Sequence, residues 1–118
     1  MTGSSSWIRK ERRLAIYVRD GFCCQYCNRN LKNSPAREMG LDHLEDLVNG
    51  GGHKGANHAN SNLVLACRAC NSSRRNASYT EFAGRFEGAL ARIESTRHGF
   101  VNIELAKELI AGAANADR

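Results

Sequence analysis

Two Cys-x-x-Cys pairs constrain the fold of this chain more than any other feature of its sequence. They are Cys24-Gln-Tyr-Cys27 and Cys67-Arg-Ala-Cys70, with 39 residues between them. Each pair brings two thiolates within reach of one ion, and structural zinc takes four such ligands at Zn–S distances of about 2.3 Å. Because four cysteines leave no open coordination position, the spacing predicts a structural zinc ion rather than a catalytic one.

A metal ion would supply stability that a chain of 118 residues lacks, since a small domain buries only about 60–70% of the surface that its unfolded form exposes. The N-terminus is polar and then basic, with no apolar signal segment, so we expect a reducing cytoplasm. There, five cysteines indicate metal ligands rather than disulfides. Cys23 lacks the two-residue gap to Cys27 and is predicted to be a small buried apolar residue. A redox pair is the alternative, but it would need a thioredoxin-like sheet.

Hydrophobic periodicity predicts helices towards both ends of the chain. Residues 1–6 are rich in Ser and Gly and are predicted to be a disordered leader, and residues 7–118 are predicted to form one domain. The predicted helices cover residues 7–19, a segment beginning near residue 68, residues 79–95 and residues 102–112, all with approximate ends. Ser78 and Glu81 have capping-box spacing before the third helix, and Asn102 would cap the fourth. The apolar face of the third helix would consist of Phe82, Phe86, Leu90 and Ile93.

Two short segments, residues 39–44 and residues 62–66, favour β-strands. The stretch between them contains three consecutive glycines and several asparagines, which predicts a long, adaptable loop. Two strands followed by a helix, with further helices on either side, predict a small zinc-stabilised α+β fold.

Polar residues able to support hydrolysis lie between and beside the two halves of the zinc site. They are Asp42, His43, Asn62 and Asn71. Carboxylate and amide oxygens are ligands that Mg²⁺ or Mn²⁺ accepts, and a histidine with an ordinary pKa of about 6.5 is mostly neutral at pH 7 and able to take a proton from water. Neighbouring side chains of a strand point to opposite faces, so Asp42 and His43 serve one cleft only if the strand bends or ends there.

The formal net charge is +5, and much of the positive charge is clustered. One cluster consists of Arg9, Lys10, Arg12, Arg13 and Arg19, and the other of Arg68, Arg74 and Arg75. Basic clusters attract nucleic-acid phosphates through counterion release. Charge alone leaves a merely solvated surface as an equal alternative.

Residues 12–76 resemble the HNH endonuclease family in its four-cysteine form. The shared motifs are Arg19-Asp20-Gly21 before the first cysteine pair, the Asp42-His43 pair followed by Gly50-Gly51, Asn62-Leu63, and the Cys67-x-x-Cys70-Asn71 end. The resemblance implies a core of the ββα-metal type, a β-hairpin followed by a helix, spanning residues 12–76.

The resemblance also implies a role for each polar residue. His43 would be the general base that activates water for attack on the scissile phosphate. Asp42 and Asn71 would hold one divalent ion, Mg²⁺, Mn²⁺ or another transition ion, which stabilises the phosphate and the departing 3′ oxygen. Asn62 would be a structural asparagine that orients the loop carrying His43.

The implied activity is cleavage of DNA, double-stranded in the first place, to 5′-phosphate and 3′-hydroxyl ends as a nick or a double-strand break. Arg74 would contact phosphate, assisted by Arg68 or Arg75. We expect a monomer or homodimer without membrane association, in the cytoplasm of a bacterial or phage-infected cell, encoded by a phage or mobile element.

The sequence departs from the family pattern in the loop. Asp46 stands where many relatives have proline, and the loop is about five residues longer than usual. The extra residues fall around Gly52–Asn60 and include His53 and His58, each of which either reaches the metal or a phosphate or is a solvated loop residue.

Two other functions remain open at this stage. One is a ribonuclease on the same scaffold, and the other is a zinc-stabilised module that binds nucleic acid without cutting it. A purely structural zinc protein is disfavoured by the basic clusters.

Overall fold

The structure is a computed structural model that describes residues 8–45 and 58–116. The predicted leader, Trp7, Asp46 and His53 lie outside the described residues. The elements within these ranges are α1 (Lys10–Arg19), β1 (Met39–His43), β2 (Leu63–Cys67), α2 (Arg68–Arg74), α3 (Tyr79–Ala83), α4 (Ala89–Thr96) and α5 (Ile103–Ala116). Short 3₁₀ turns precede each strand, at Ala36–Glu38 and Asn60–Asn62.

A β-hairpin followed by a helix forms the centre of the fold. β1 and β2 pair antiparallel, with Met39 opposite Cys67 and His43 opposite Leu63. α2 begins at the residue after β2 and packs back on β1, where a β-carbon built on Gly40 would lie 3.2 Å from the side-chain nitrogen of Asn71. The predicted α+β fold is confirmed, and both predicted strands are present with ends shifted by one residue.

The core surrounds β2. Every residue of β2 is buried, as expected for a strand with apolar side chains on both faces. α1 buries Ala15, Ile16 and Tyr17 and packs against β2 and α5. α1 therefore extends the small hairpin into a core that a two-stranded sheet could not form alone.

The Arg19-Asp20 pair joins the end of α1 to β2. The Asp20 carboxylate accepts hydrogen bonds from Arg19 Nε (2.7 Å) and from the Leu65 backbone N–H (2.8 Å), and burial raises the pKa of Asp20 while Arg19 lowers it. Arg19 also donates to the Leu63 carbonyl oxygen at 2.5 Å, and both side chains are almost fully buried. Arg19 therefore holds the fold together and is not part of an exposed basic surface, unlike its predicted place in the first cluster.

The single helix predicted over residues 79–95 is wrong, because the structure has two helices there. α3 ends at Ala83 and α4 begins at Ala89. Gly88 adopts a left-handed φ of 75°, which an α-helix does not accommodate and which glycine tolerates best. The break leaves Leu90 40% exposed, whereas Phe82 and Ile93 are buried as predicted.

The predicted helix caps are present. The Ser78 hydroxyl accepts a hydrogen bond from the Glu81 backbone N–H at 3.2 Å, and the Asn102 side-chain oxygen accepts one from Leu105 N–H at 3.0 Å. α5 begins directly after Asn102 and extends to Ala116, beyond the predicted end near residue 112.

Candidate metal centre and active site

The four predicted ligand cysteines converge on one point. Their sulfur atoms all lie within 4.8 Å of one another, and the Sγ atoms of Cys27 and Cys67 are 3.9 Å apart. A tetrahedral zinc site with bonds of about 2.3 Å has sulfur–sulfur distances of about 3.8 Å. The donor set and its spacing therefore suit a structural zinc ion. Cys23 lies outside the cluster, as predicted, but it is half-buried rather than buried.

Without a cation, the cluster disfavours thiolates at two positions. Burial raises the pKa of the Cys24 thiol, and burial together with the charge of Cys24 raises the pKa of Cys70 well above its usual range. Burial also acts to raise the pKa of Cys67, but hydrogen bonds led by that from the Cys70 backbone N–H outweigh it and lower the pKa. A divalent ion removes this conflict because it binds thiolates and displaces their protons.

The cysteine cluster joins three separate parts of the chain. Cys24 and Cys27 lie in the turn after α1, Cys67 ends β2, and Cys70 lies in the first turn of α2. An ion at this point therefore determines where α2 lies relative to the hairpin.

Asp42 is 7% exposed and lies on the α2 side of β1. Its Oδ2 atom accepts hydrogen bonds from the Tyr26 hydroxyl at 2.5 Å and from Arg74 Nη1 at 2.6 Å. Burial and the Asp42 carboxylate raise the pKa of Tyr26 well above its usual range, so the hydroxyl remains a donor. Asp42 is therefore oriented by a residue of the first cysteine turn and by a residue of α2.

Arg74 has a different place from the one predicted for it. The guanidinium is 4% exposed and donates to the carbonyl oxygens of His43 (2.6 Å), Leu44 (2.7 Å) and Ala77 (2.9 Å) as well as to Asp42. Since Nε, Nη1 and Nη2 all donate to internal oxygens, Arg74 ties α2 to β1 instead of meeting a phosphate.

The other two predicted phosphate contacts, Arg68 and Arg75, are exposed. Arg68 lines a cleft of about 360 Å³ beside the start of β1. The cleft is lined by Arg37, Met39, Gly40, Arg68, Asn71 and Ser72. Asn71 is therefore exposed beside two arginines whose charge suits a phosphate.

His43 is the last residue of β1 and is half-buried. Its Nε2 atom lies 2.9 Å from Nδ1 of His58, and the two ring centroids are 5.0 Å apart. Asp42 and His43 thus have different partners, as the alternation of a strand requires. Neighbouring side chains can serve one cleft only where a strand bends or ends, and β1 ends at His43.

Asn62 closes the base of the loop between the strands. It is 2% exposed, its Oδ1 accepts from Glu45 N–H (3.0 Å), and its Nδ2 donates to the Glu45 carbonyl (2.9 Å). Its own carbonyl accepts from Leu44 N–H at 2.9 Å. These contacts hold the two residues after His43 beside the start of β2.

Asp42 and Asn71 suit a hard divalent ion by donor chemistry, because both offer side-chain oxygens. Asn71 lies over Gly40, two residues before Asp42 on the same face of β1. The Arg74 guanidinium already binds Oδ2 of Asp42, so an ion at this carboxylate shares it with a positive group.

Sequence reasoning missed Tyr26 and left the role of His58 open. Tyr26 carries a usable signal, since it lies inside the first Cys-x-x-Cys turn and the predicted zinc ion brings that turn to the end of β2. His58 carries none, because its approach to His43 depends on how the long loop returns to the hairpin.

We predict that Cys24→Ser lowers zinc content and that the protein loses its cooperative thermal transition, because one of four ligands is lost from a site that stabilises by about 10–16 kcal/mol in small zinc peptides. Cys23→Ser is the matched control and should retain zinc. Elemental analysis with thermal unfolding checks both. Equal zinc content in the two variants would refute the assignment of Cys24 as a ligand.

We predict that Arg74→Met destabilises the zinc-loaded protein by about 3–5 kcal/mol, because it removes a buried cation that pairs with Asp42. Arg75→Met, the exposed neighbour, should change stability by no more than about 0.5 kcal/mol. Urea unfolding measures both. If Arg74→Met kept its stability but lost DNA affinity, the result would contradict the structural role and support the phosphate contact predicted from the sequence.

A family model described as HNH endonuclease matches residues 24–77. No curated protein and no solved structure matches the chain. Within the described ranges, no helix is both long and apolar enough to cross a membrane. Residues 24–77, with the four-cysteine cluster and the hairpin followed by α2, are therefore similar to the HNH endonuclease family.

Proposed function

We propose that this protein is a metal-dependent endonuclease that hydrolyses phosphodiester bonds of DNA. The observation that carries the proposal is the placement of Asp42 and His43 on β1 and of Asn71 on α2, two elements that pack against each other within the segment that matches the HNH endonuclease model. A module that only binds nucleic acid does not need a carboxylate, a histidine and an amide on adjoining elements.

His43 is the proposed general base, since it is the last residue of β1 and is only half-buried. It would take a proton from the water that attacks the scissile phosphorus, and the 3′ oxygen would leave with the 5′-phosphate remaining on the other fragment. Asn62 supports this role by holding both backbone groups of Glu45, two residues beyond His43.

Asp42 and Asn71 are the proposed ligands of one Mg²⁺ or Mn²⁺ ion. When bound, such an ion supplies Lewis-acid stabilisation of charge on the phosphate. Tyr26 and Arg74 contribute by holding the Asp42 carboxylate in one orientation. Since Arg74 is buried, we assign the contact with phosphate to Arg68 and Arg37, which line the cleft beside Asn71. Arg75 is nearby in the sequence and is exposed.

DNA is the proposed substrate in preference to RNA, following the activity that the sequence resemblance implies. A reducing compartment is proposed because the zinc ligands must stay unoxidised. The basic residues that line the cleft bind phosphate and do not by themselves distinguish the two nucleic acids. The test therefore includes both.

We expect the zinc-loaded protein to nick or linearise supercoiled plasmid with Mg²⁺ or Mn²⁺, and not with EDTA. His43→Ala should reduce cleavage by at least about 100-fold while DNA affinity in a filter-binding assay stays within about twofold, because the change removes a general base and no phosphate contact. His98→Ala, an exposed histidine after α4, is the matched control and should cleave normally.

Three outcomes would contradict parts of the proposal. Cleavage of an RNA of equal length but not of DNA would make the protein a ribonuclease. Intact DNA and RNA with every metal, together with tight binding, would make it a binding module. Equal cleavage by wild type and His43→Ala would exclude His43 as the base.

A further inference from the structure

Residues 58–61, which precede β2, are held against the helices by hydrogen bonds from arginine side chains. Three arginines from α1 and from the end of α4 donate hydrogen bonds to oxygen atoms of residues 58–61. They are Arg12, Arg19 and Arg97. Because these hydrogen bonds fix the backbone of residues 58–61, the fold determines the position of His58 at the start of this segment.

Arg12 makes the contacts nearest to His58. Its Nη2 donates to the His58 carbonyl oxygen and its Nε to the Asn60 side-chain oxygen at 2.7 Å. Arg12 is partly buried, and burial lowers the pKa of its guanidinium. Arg12, which was predicted to belong to a phosphate-attracting cluster, thus uses two of its hydrogen-bond donors to hold residues 58–60.

Backbone hydrogen bonds between the residues after β1 and those before β2 bring the two histidine rings within hydrogen-bonding distance. Leu44 follows His43 and donates its backbone N–H to the Asn62 carbonyl, and Asn62 N–H donates to the Ala59 carbonyl at 2.8 Å. These bonds align the residues after β1 with the residues before β2. The 2.9 Å contact between His43 Nε2 and His58 Nδ1 lies at the end of this ladder.

A hydrogen bond between two imidazole rings couples their tautomers. One ring nitrogen must donate and the other must accept, so the proton on one ring determines which nitrogen of the other carries its proton. A general base works best when a third group fixes its ring, because the lone pair then meets the water in one orientation.

We propose that His58 is a positioning residue for His43, holding its ring in the orientation and tautomer that accept the proton of the attacking water. This inference rests on the proposed nuclease function and adds a residue that the family motifs do not include. His58 acts through its Nδ1 atom, and Arg12 supports it by fixing the backbone that carries it.

The test compares three substitutions that separate the ring positions of His58. His58→Asn places an amide close to the former Nδ1, His58→Gln places one close to the former Nε2, and His58→Ala removes both. His98→Ala is the control for loss of a histidine elsewhere. Zinc content and thermal unfolding establish that each variant is folded before kcat and KM are measured on a short DNA duplex.

We expect His58→Ala to lower kcat by about 10–100-fold with KM within about twofold of wild type, as for loss of other groups that orient a catalytic residue. His58→Asn should retain more activity than His58→Gln. Long-range ¹H–¹⁵N NMR of the wild type should show one tautomer for the His43 ring, and His58→Ala should show a mixture.

Unchanged kcat in His58→Ala, or an unchanged His43 ring spectrum, would overturn the positioning role while leaving the nuclease proposal intact. Greater activity of His58→Gln than of His58→Asn, with a raised KM, would also overturn it and assign His58 a direct contact with phosphate through Nε2. Absence of cleavage by the wild type on DNA and RNA would refute the nuclease proposal itself, and the NMR comparison would then report only whether the two rings are paired.

Discussion

The convergence of four thiolates is the constraint on which the rest of the structure depends. The hairpin has only two strands and α2 has seven residues, and neither element is stable alone in water. An ion bound by Cys24, Cys27, Cys67 and Cys70 links the turn after α1 to the end of β2 and the start of α2. α2 then lies against β1, which brings Asn71 over Gly40.

The buried ion pair between Asp42 and Arg74 is the second consequence of that placement. Arg74 lies one turn of α2 beyond Asn71, so the helix presents an amide and a guanidinium to the same face of β1. Tyr26 completes the pair from within the first cysteine turn, and its hydroxyl reaches the same oxygen of Asp42. The orientation of Asp42, a proposed metal ligand, thus depends on the turn that carries Cys24 and Cys27.

The sequence predicted best those features that depend on local spacing. The cysteine ligands, the two strands and the Ser78 and Asn102 caps each follow from residues a few positions apart. Hydrophobic periodicity predicted one helix over residues 79–95, where the structure has two. The apolar pattern continues across Gly88 and gives no sign of the left-handed backbone there.

Features that depend on long-range approach were not predictable from spacing. Arg74 was predicted to be a surface contact because it follows the second cysteine pair, whereas its burial depends on Asp42, 32 residues earlier. The His43–His58 contact likewise depends on three arginines that hold residues 58–61. One of them, Arg12, lies on α1 and precedes His58 by 46 residues. Basic residues therefore divide into exposed ones, such as Arg68, and buried ones that join elements.

Binding of Mn²⁺ to the zinc-loaded protein tests most directly the central claim that α2 brings Asn71 and Asp42 to one divalent ion. Electron paramagnetic resonance of free Mn²⁺ during a titration gives the number of sites and their affinity. We expect one Mn²⁺ per chain, bound at least about tenfold more weakly by Asn71→Ala and by Asp42→Asn, and unchanged in Arg68→Ala. Equal Mn²⁺ binding by wild type, Asn71→Ala and Asp42→Asn would contradict the claim.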